Sequence, residues 1–260
     1  MTARLRLKTA LDAGRPTGGL FVSIPAPEIV EIAAVAGFDF VLIDLEHTLI
    51  DGGALEQLLA AADRAGLSAL VRVPNASSER ILQSLDAGAA GIVVPRVDTL
   101  DQAEAAVRNA RYAPRGARGL NAGRLGRFGD CDLADLVARL DRETLVIAMI
   151  ETPAGLDAAA RIARVNGLDG LLFGAADYSQ AIGLPWQTGA PAVIAAGTAL
   201  ARICRQAGIL NVAFARTEAD VPRMLEEGTL GIIAANDRGL LRRALTQADR
   251  GWRAATGAQA

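Results

Sequence analysis

The chain has 260 residues, of which 51% are hydrophobic, and this length is sufficient for one large hydrophobic core. The formal net charge is −2 at pH 7, which argues against nucleic acids and anionic membranes as partners, because both bind concentrated positive charge. Aromatic residues make up 4% of the chain, which argues against a surface that stacks nucleic-acid bases. Cys131 and Cys204 lie far apart, and no run of about 20 apolar residues occurs, so the composition predicts a reduced, cytoplasmic protein without a disulfide framework or membrane span.

Short apolar segments recur along the chain and are predicted to be β-strands. They are nearly continuous apolar runs, which is typical of parallel strands buried on both faces. The predicted strands are Gly19–Ile24, Phe40–Leu45, Ala69–Val73, Gly91–Pro95, Leu145–Ile150, Gly170–Gly174, Asn211–Ala215 and Gly231–Ala234.

Amphipathic segments with apolar residues three and four positions apart follow these strands and are predicted to be helices. Glycines such as Gly66 and Gly208 stand where such helices should end. The predicted helices are Pro27–Ala36, Gly53–Ala65, Ser78–Ala87, Leu100–Ala110, Ala154–Val165, Ala192–Ala207, Glu218–Glu227 and a last helix over Arg238–Arg253, within a C-terminal helix and tail of residues 238–260.

The alternation of strand and helix predicts an α/β fold, a (β/α)8 TIM barrel that fills residues 1–260 as a single domain. The rival fold is an open, doubly wound sheet. No glycine fingerprint follows the first strand, so a dinucleotide-binding fold is not favoured. Residues 111–130, between the fourth and fifth strands, contain five arginines and five glycines. This segment is interpreted as a flexible loop over the site or as an oligomer contact.

Two carboxylates follow adjacent predicted strands of the barrel. Glu151 comes directly after the fifth strand and Asp177 after the sixth, so both should lie at the mouth where barrel chemistry occurs. Two carboxylates on adjacent strands repel each other unless a cation lies between them. Two oxygen ligands plus water suit Mg²⁺ or Mn²⁺. The alternative is that Glu151 caps the following helix and Asp177 pairs with an arginine.

Further polar residues end the second and third strands. Asp44, Glu46 and His47 follow the second strand, and Arg72 ends the third. His47, the single histidine, is interpreted as a proton carrier near pH 7, although a lone histidine is often a buried core residue. A fixed guanidinium at Arg72 suits a carboxylate or a developing enolate, with an ordinary ion pair as the alternative.

The single lysine excludes one class of carbonyl chemistry. Lys8 precedes the first strand, at the end of the barrel opposite the predicted mouth. We therefore expect no Schiff-base lysine and no pyridoxal phosphate, and a metal ion should activate any carbonyl substrate.

Six motifs together resemble the HpcH/HpaI aldolase family, within a citrate lyase β-like superfamily. They are AGFDFVLIDLEH, VRVP, LDAGAAGIVVPRV, RYAPRGARG, IETPAG and GAADYS, and the similarity runs from about Gly18 to Asp237. The resemblance implies a metal-dependent class II pyruvate aldolase that acts on 4-hydroxy-2-ketoacids and 2-keto-3-deoxy sugar acids. It also implies a homo-oligomer, a trimer or hexamer, and Mg²⁺, Mn²⁺ or Co²⁺ as the cofactor.

The resemblance also implies roles for individual residues. Glu151 and Asp177 match the metal ligands, Arg72 the arginine on the keto oxygen, and His47 the proton relay. Further matches are the acidic Asp44 and Glu46 beside the histidine, Asp86 as an aspartate paired with it, and Gly174, Ala176 and Asp177 around the pyruvate carboxylate.

Two departures from the family pattern concern the acceptor. Met149 stands where many members carry glutamine. GAADYS stands in place of a commoner motif that contains proline and leucine around the aspartate. A methionine removes a hydrogen-bonding group near the substrate. A second enzyme interpretation is therefore a condensation of acetyl-CoA with oxaloacetate like that of a citrate synthase. A third is a non-catalytic barrel that binds a ketoacid.

Overall fold

The computed structural model of the protein describes residues 2–256, so the end of the predicted tail, residues 257–260, lies outside the described residues. Eight parallel strands pair in chain order, and the eighth closes on the first to form a barrel. The prediction of a single (β/α)8 barrel is confirmed. The strands are β1 (Thr17–Val22), β2 (Phe40–Asp44), β3 (Ser68–Arg72), β4 (Gly91–Val94), β5 (Leu145–Ile150), β6 (Gly170–Phe173), β7 (Leu210–Phe214) and β8 (Gly231–Asn236).

Helices surround the barrel and connect its strands. They are α1 (Ala3–Asp12), α2 (Pro27–Val35), α3 (Gly52–Ala65), α4 (Ser78–Ala87), α5 (Leu100–Ala110), α6 (Leu133–Glu143), α7 (Pro153–Ile162), α8 (Ala175–Ala181), α9 (Pro191–Ala207), α10 (Val221–Glu226) and α11 (Asp237–Thr256). Their apolar faces bury one large core against the outside of the barrel. Within residues 2–256, no helix is both long and apolar enough to cross a membrane.

Side chains that alternate along each strand fill the inside of the barrel. On β2, Phe40 and Leu42 belong to this inner core, whereas Val41 and Ile43 pack outwards against the helices. Gly19 of β1 is required here, because a methyl group at its Cα would lie 2.3 Å from the Phe40 ring. The inside of the barrel is thus a packed floor beneath the mouth.

Three helices were not among the predicted ones: α1, α6 and α8. α6 accounts for much of the long interval between the fourth and fifth strands, and Asp132 caps its first turn by accepting from the backbone N–H of Asp135. In the preceding segment, residues 111–130, Arg111 and Arg118 are buried and a short 3₁₀ turn covers Arg124–Gly129.

Candidate active site

The alternation along the strands places three charged side chains at the mouth. On β2 the inward positions Phe40 and Leu42 lead to Asp44, and on β3 the inward Leu70 leads to Arg72. On β5, Ile147 and Met149 lead in the same way to Glu151, one residue past the strand. These residues therefore share the upper end of the barrel because every second side chain of a strand points to the same side.

Arg72 is the buried cation of this cluster. Its Nε donates to Asp44 Oδ1 at 2.8 Å, and its Nη1 lies 3.1 Å from Glu46 Oε2. The guanidinium also lies 4.9 Å from the ring centre of Phe21, which packs edge-on against Phe214. Neither of these two ion pairs uses Nη2, so this nitrogen remains for a ligand.

Asp44 shapes the turn that presents the histidine. Its Oδ1 accepts from the backbone N–H of Glu46 at 3.0 Å, and its Oδ2 accepts from that of His47 at 3.3 Å. An aspartate that binds backbone N–H groups two and three residues ahead fixes a tight turn. Asp44 is buried and acts on the mouth through this turn and through Arg72.

His47 extends from that turn into solvent, so the alternative of a buried core histidine is wrong. Its side chain is 63% exposed, and Nε2 lies 3.8 Å from Glu46 Oε2. It lines an open cavity together with Ser23, Glu46 and Arg238. Burial raises the pKa of Glu46, and the nearby charge of Arg72 opposes this effect.

Glu151 carries a buried carboxylate with one unsatisfied oxygen. Oε1 accepts from the backbone N–H of Arg96 at 2.8 Å, whereas Oε2 is buried and has no hydrogen-bond partner among residues 2–256. Burial, together with the negative charge of Asp177, raises the pKa of Glu151 to about 7. An unsatisfied, ionisable oxygen beside a second carboxylate is the arrangement that a cation stabilises.

Asp177 lies in the first turn of α8 and is half-buried. Among residues 2–256 no ion pair joins Asp177 to an arginine. The cap of α7 is Thr152, whose side chain accepts from Gly155 N–H, so the alternative capping role for Glu151 is wrong. Both carboxylates are thus left for another partner.

Gly174 keeps the space beside Glu151 open. A methyl group on its Cα would lie 2.6 Å from Glu151 Oε2 and 2.7 Å from Met149 Cε. The described part of the chain brings no three His, Cys, Asp or Glu side chains together as a metal cluster, so the protein would supply the pair Glu151 and Asp177. Two carboxylates with the remaining positions left to water and substrate fit Mg²⁺ or Mn²⁺.

Two sequence-predicted residues lie elsewhere. Lys8 Nζ is 2.7 Å from Asp12 and 3.8 Å from Asp169, which directly precedes β6, so the lysine lies at the end of the barrel opposite the mouth. Asp86, in the last turn of α4, accepts from Arg118 Nη2 at 2.8 Å. The chain by itself therefore does not pair Asp86 with His47, because α4 runs away from the mouth.

Other residues of the site were missed from the sequence. Phe21 and Phe214 line the mouth beside Arg72, and their places at strand ends were the available signal. Arg96 contributes its backbone N–H, a role that cannot be inferred from its side chain. The backbone of Arg96 has a positive φ of 52°. Arg238 donates to Ser23 O at 3.0 Å at the rim of the histidine cavity.

The fold and the charged side chains at its mouth are those of a TIM-barrel enzyme. The HpcH/HpaI aldolase/citrate lyase family model matches residues 18–244. The chain is 37% identical to 4-hydroxy-2-oxovalerate aldolase of Novosphingobium aromaticivorans, over 97% of this chain and 96% of that protein. It is 34% identical to hydroxypyruvate/pyruvate aldolase of Pseudomonas aeruginosa, over 93% and 90% of the two chains. The chain therefore belongs to the HpcH/HpaI aldolase/citrate lyase family.

A solved structure extends this similarity. The chain superposes on the citrate synthase SbnG with a TM-score of 0.90 at 34% identity, covering 97% of this chain and 99% of that one. The sequence identity to this citrate synthase thus equals that to hydroxypyruvate/pyruvate aldolase.

Proposed function

We propose that the protein is a divalent-metal-dependent class II pyruvate aldolase, a carbon–carbon lyase that cleaves or forms a 4-hydroxy-2-ketoacid. The observation that carries this proposal is the buried, unsatisfied Oε2 of Glu151 beside Asp177, at the same mouth as Arg72 and His47. The similarity to 4-hydroxy-2-oxovalerate aldolase and hydroxypyruvate/pyruvate aldolase supports this substrate class.

Glu151 and Asp177 would hold the metal ion. When bound, the ion supplies a Lewis acid that polarises the keto oxygen and stabilises negative charge. Mg²⁺, Mn²⁺ and Co²⁺ all accept such oxygen ligands, and the donor set fits a hard cation best.

Arg72 binds the keto oxygen of the substrate with the guanidinium nitrogen that Asp44 and Glu46 leave unused. The carboxylate of the ketoacid binds at the start of α8, where the backbone N–H groups near Ala176 and Asp177 lack helical partners. Gly174 allows this close approach because it has no side chain.

His47 carries the proton of the reaction. It accepts the proton from the 4-hydroxyl, the C3–C4 bond breaks, and the electron pair of that bond forms the enolate of pyruvate. Carbon 4 departs as an aldehyde through the open cavity in front of His47. Water then protonates C3 to give pyruvate, and the hydroxide that remains takes the proton from His47, which returns the residue to its starting state. The rigid cation of Arg72 stabilises the enolate oxygen.

Proton exchange of pyruvate tests the proposal without knowledge of the aldehyde. The protein is incubated with pyruvate in D₂O with Mg²⁺, Mn²⁺ or Co²⁺, or with EDTA, and the methyl signal is followed by NMR. We expect metal-dependent loss of this signal. Unchanged methyl protons with every metal across a range of pH would refute the enolate chemistry.

A citrate-synthase-like condensation of acetyl-CoA with oxaloacetate is the second candidate. The superposition on the citrate synthase SbnG favours it. This reaction releases free thiol from acetyl-CoA, which a thiol reagent detects. Thiol release with oxaloacetate, together with no cleavage of 4-hydroxy-2-ketoacids, would assign the chain to the second function.

We further propose that the enzyme works as a homo-oligomer. The last helix, α11, buries only Asp237 among its residues and exposes an apolar stripe that contains Leu241, Leu245 and Trp252. Helices of a stable monomer bury such stripes.

Cys131 and Cys204 are free thiols, which fits the reducing cytoplasm as the compartment of the protein.

A further inference from the structure

A second polar cavity lies at the end of the barrel opposite the mouth. Ser68, the first residue of β3, and Gly88, which follows α4, are part of its wall. The first turn of α1, with Thr2, Ala3 and Arg4, forms another side. The amino-terminal end of a ten-residue helix therefore faces this cavity, and such ends favour anions.

Arginines dominate the charge around this cavity. Arg4, Arg124 and Arg139 line it. The one carboxylate in its wall is Asp63, whose side chain is largely exposed and which lies 4.0 Å from Arg124. The lining is thus positive, with Arg4 as its buried member.

Arg4 has donors that are unused in the described part of the chain. Its Nη2 donates to the carbonyl oxygen of Ala89, whereas Nε and Nη1 are buried without a hydrogen-bond partner there. Arg4 is only 8% exposed, so bulk water does not solvate these donors. A buried donor without a partner costs free energy, and the cost is larger for a charged group.

A second buried arginine adds to this imbalance. Arg118 pairs with Asp86 through Nη2 and stacks at 4.7 Å on the ring of Tyr112, but its Nε and Nη1 are also buried without hydrogen-bond partners among the residues that the structure describes. Burial and the charge of Arg118 lower the pKa of Arg4 to about 10, so Arg4 remains a cation at neutral pH. Glu143 offsets one of these charges and accepts from Thr2 Oγ1 at 3.3 Å.

We propose that this cavity is a binding site for a phosphate-type oxyanion, held by Arg4 with Arg139, Arg124 and the first turn of α1. A tetrahedral oxyanion offers several acceptor oxygens, and guanidinium groups are strong donors to phosphate. The site lies at the amino-terminal ends of the strands, away from Glu151 and His47, so it serves binding rather than the reaction.

Equilibrium dialysis with radiolabelled inorganic phosphate tests the site directly. We expect one phosphate per chain, and we expect Arg4→Met to weaken binding by about tenfold or more, since hydrogen bonds to charged groups contribute about 1.5–3 kcal/mol. Arg6→Met is the matched control, because Arg6 lies on the same helix and lines a different cavity. The control should bind phosphate as the unaltered protein does.

Thermal unfolding gives a second measurement that also applies to a weakened variant. Phosphate should raise the melting temperature above that in chloride at equal ionic strength, saturably, and Arg4→Met should lose the saturable part. Sulfate and glycerol 3-phosphate distinguish a site for free oxyanions from one for a phosphomonoester. An equal shift in the Arg4→Met and Arg6→Met proteins, or no phosphate retained in dialysis, would overturn the proposal.

Discussion

The buried carboxyl group of Glu151 makes the stability of the metal-free protein depend on pH. Its pKa is about 7 in the folded chain and 4.5 as the ordinary value, so the folded protein holds the proton more tightly than the unfolded chain. The contribution to stability is complete below about pH 4.5 and is lost as the pH rises through 7. A shift of this size corresponds to about 3 kcal/mol.

Urea unfolding with EDTA at pH 5 and pH 8 measures this effect. We expect the free energy of unfolding to fall by about 3 kcal/mol between these values in the metal-free protein, and by much less in Glu151→Gln. Mn²⁺ should stabilise the unaltered protein more at pH 8 than at pH 5, because only the ionised carboxylate binds it. The same pH dependence in both proteins would contradict the role given to Glu151.

His47 makes a different kind of contribution, since it is exposed and takes no part in holding the fold. His47→Ala should lower turnover by about 10²–10⁴-fold, the usual range for loss of a proton carrier. The affinity for Mn²⁺ should stay within a few-fold, because the proposed metal ligands are Glu151 and Asp177. Turnover of a 4-hydroxy-2-ketoacid and metal titration are measured on one preparation, and intact turnover would remove His47 from the reaction.

At this scale the sequence predicts charged side chains better than backbone groups. Asp44, Arg72 and Glu151 were identifiable because each stands at the end of a nearly continuous apolar run. The N–H of Arg96 was not, because its use depends on a left-handed backbone rather than on the side chain. The implied partnership of Asp86 with His47 depends on spatial relations that the strand pattern does not contain.

The junction between β6 and α8 determines the space around Glu151 and Asp177, the two proposed metal ligands. Gly174 stands between β6 and α8, and a methyl group there would lie 2.6 Å from Glu151 Oε2. Gly174→Ala should therefore weaken Mn²⁺ binding by about tenfold or more, as changes beside a metal ligand commonly do. Gly18→Ala is the control, since a methyl group on Gly18 meets nothing within 4 Å.

Calorimetric titration of the two variants with Mn²⁺ compares them directly. Circular dichroism establishes that both keep the barrel. Equal metal affinity in Gly174→Ala and Gly18→Ala would show that the space beside Glu151 does not serve the ion.

Strands and helices were predictable where their hydrophobic pattern was uninterrupted, and less so where the pattern was short or lacked a clear boundary. The eight strands were located to within about two residues at each end, because buried parallel strands are continuous apolar runs. α6 was missed because it follows an arginine- and glycine-rich segment without a clear boundary. α8 has seven residues, too few for two full turns of periodicity, and it carries Asp177, one of the two proposed metal ligands.

At the scale of the whole molecule, α11 is the element that the single chain leaves without a complete partner. It contacts β1 and β8 near its start, and Leu241, Leu245 and Trp252 lie one or two turns apart on one exposed face. On the barrel wall, Ile32 and Val35 of α2 are exposed as well, at 63% and 91%. These two apolar surfaces are the ones that a second copy would cover.

Disruption of this stripe should therefore dissociate the assembly. We expect Leu245→Glu to reduce the molar mass measured by light scattering after gel filtration, because a buried, unpaired carboxylate costs several kcal/mol at an interface. Gln247→Glu adds the same charge at a position off the stripe and should leave the mass unchanged. A monomeric unaltered protein, or equal masses for both variants, would show that α11 remains exposed in solution and that its leucines serve some other contact.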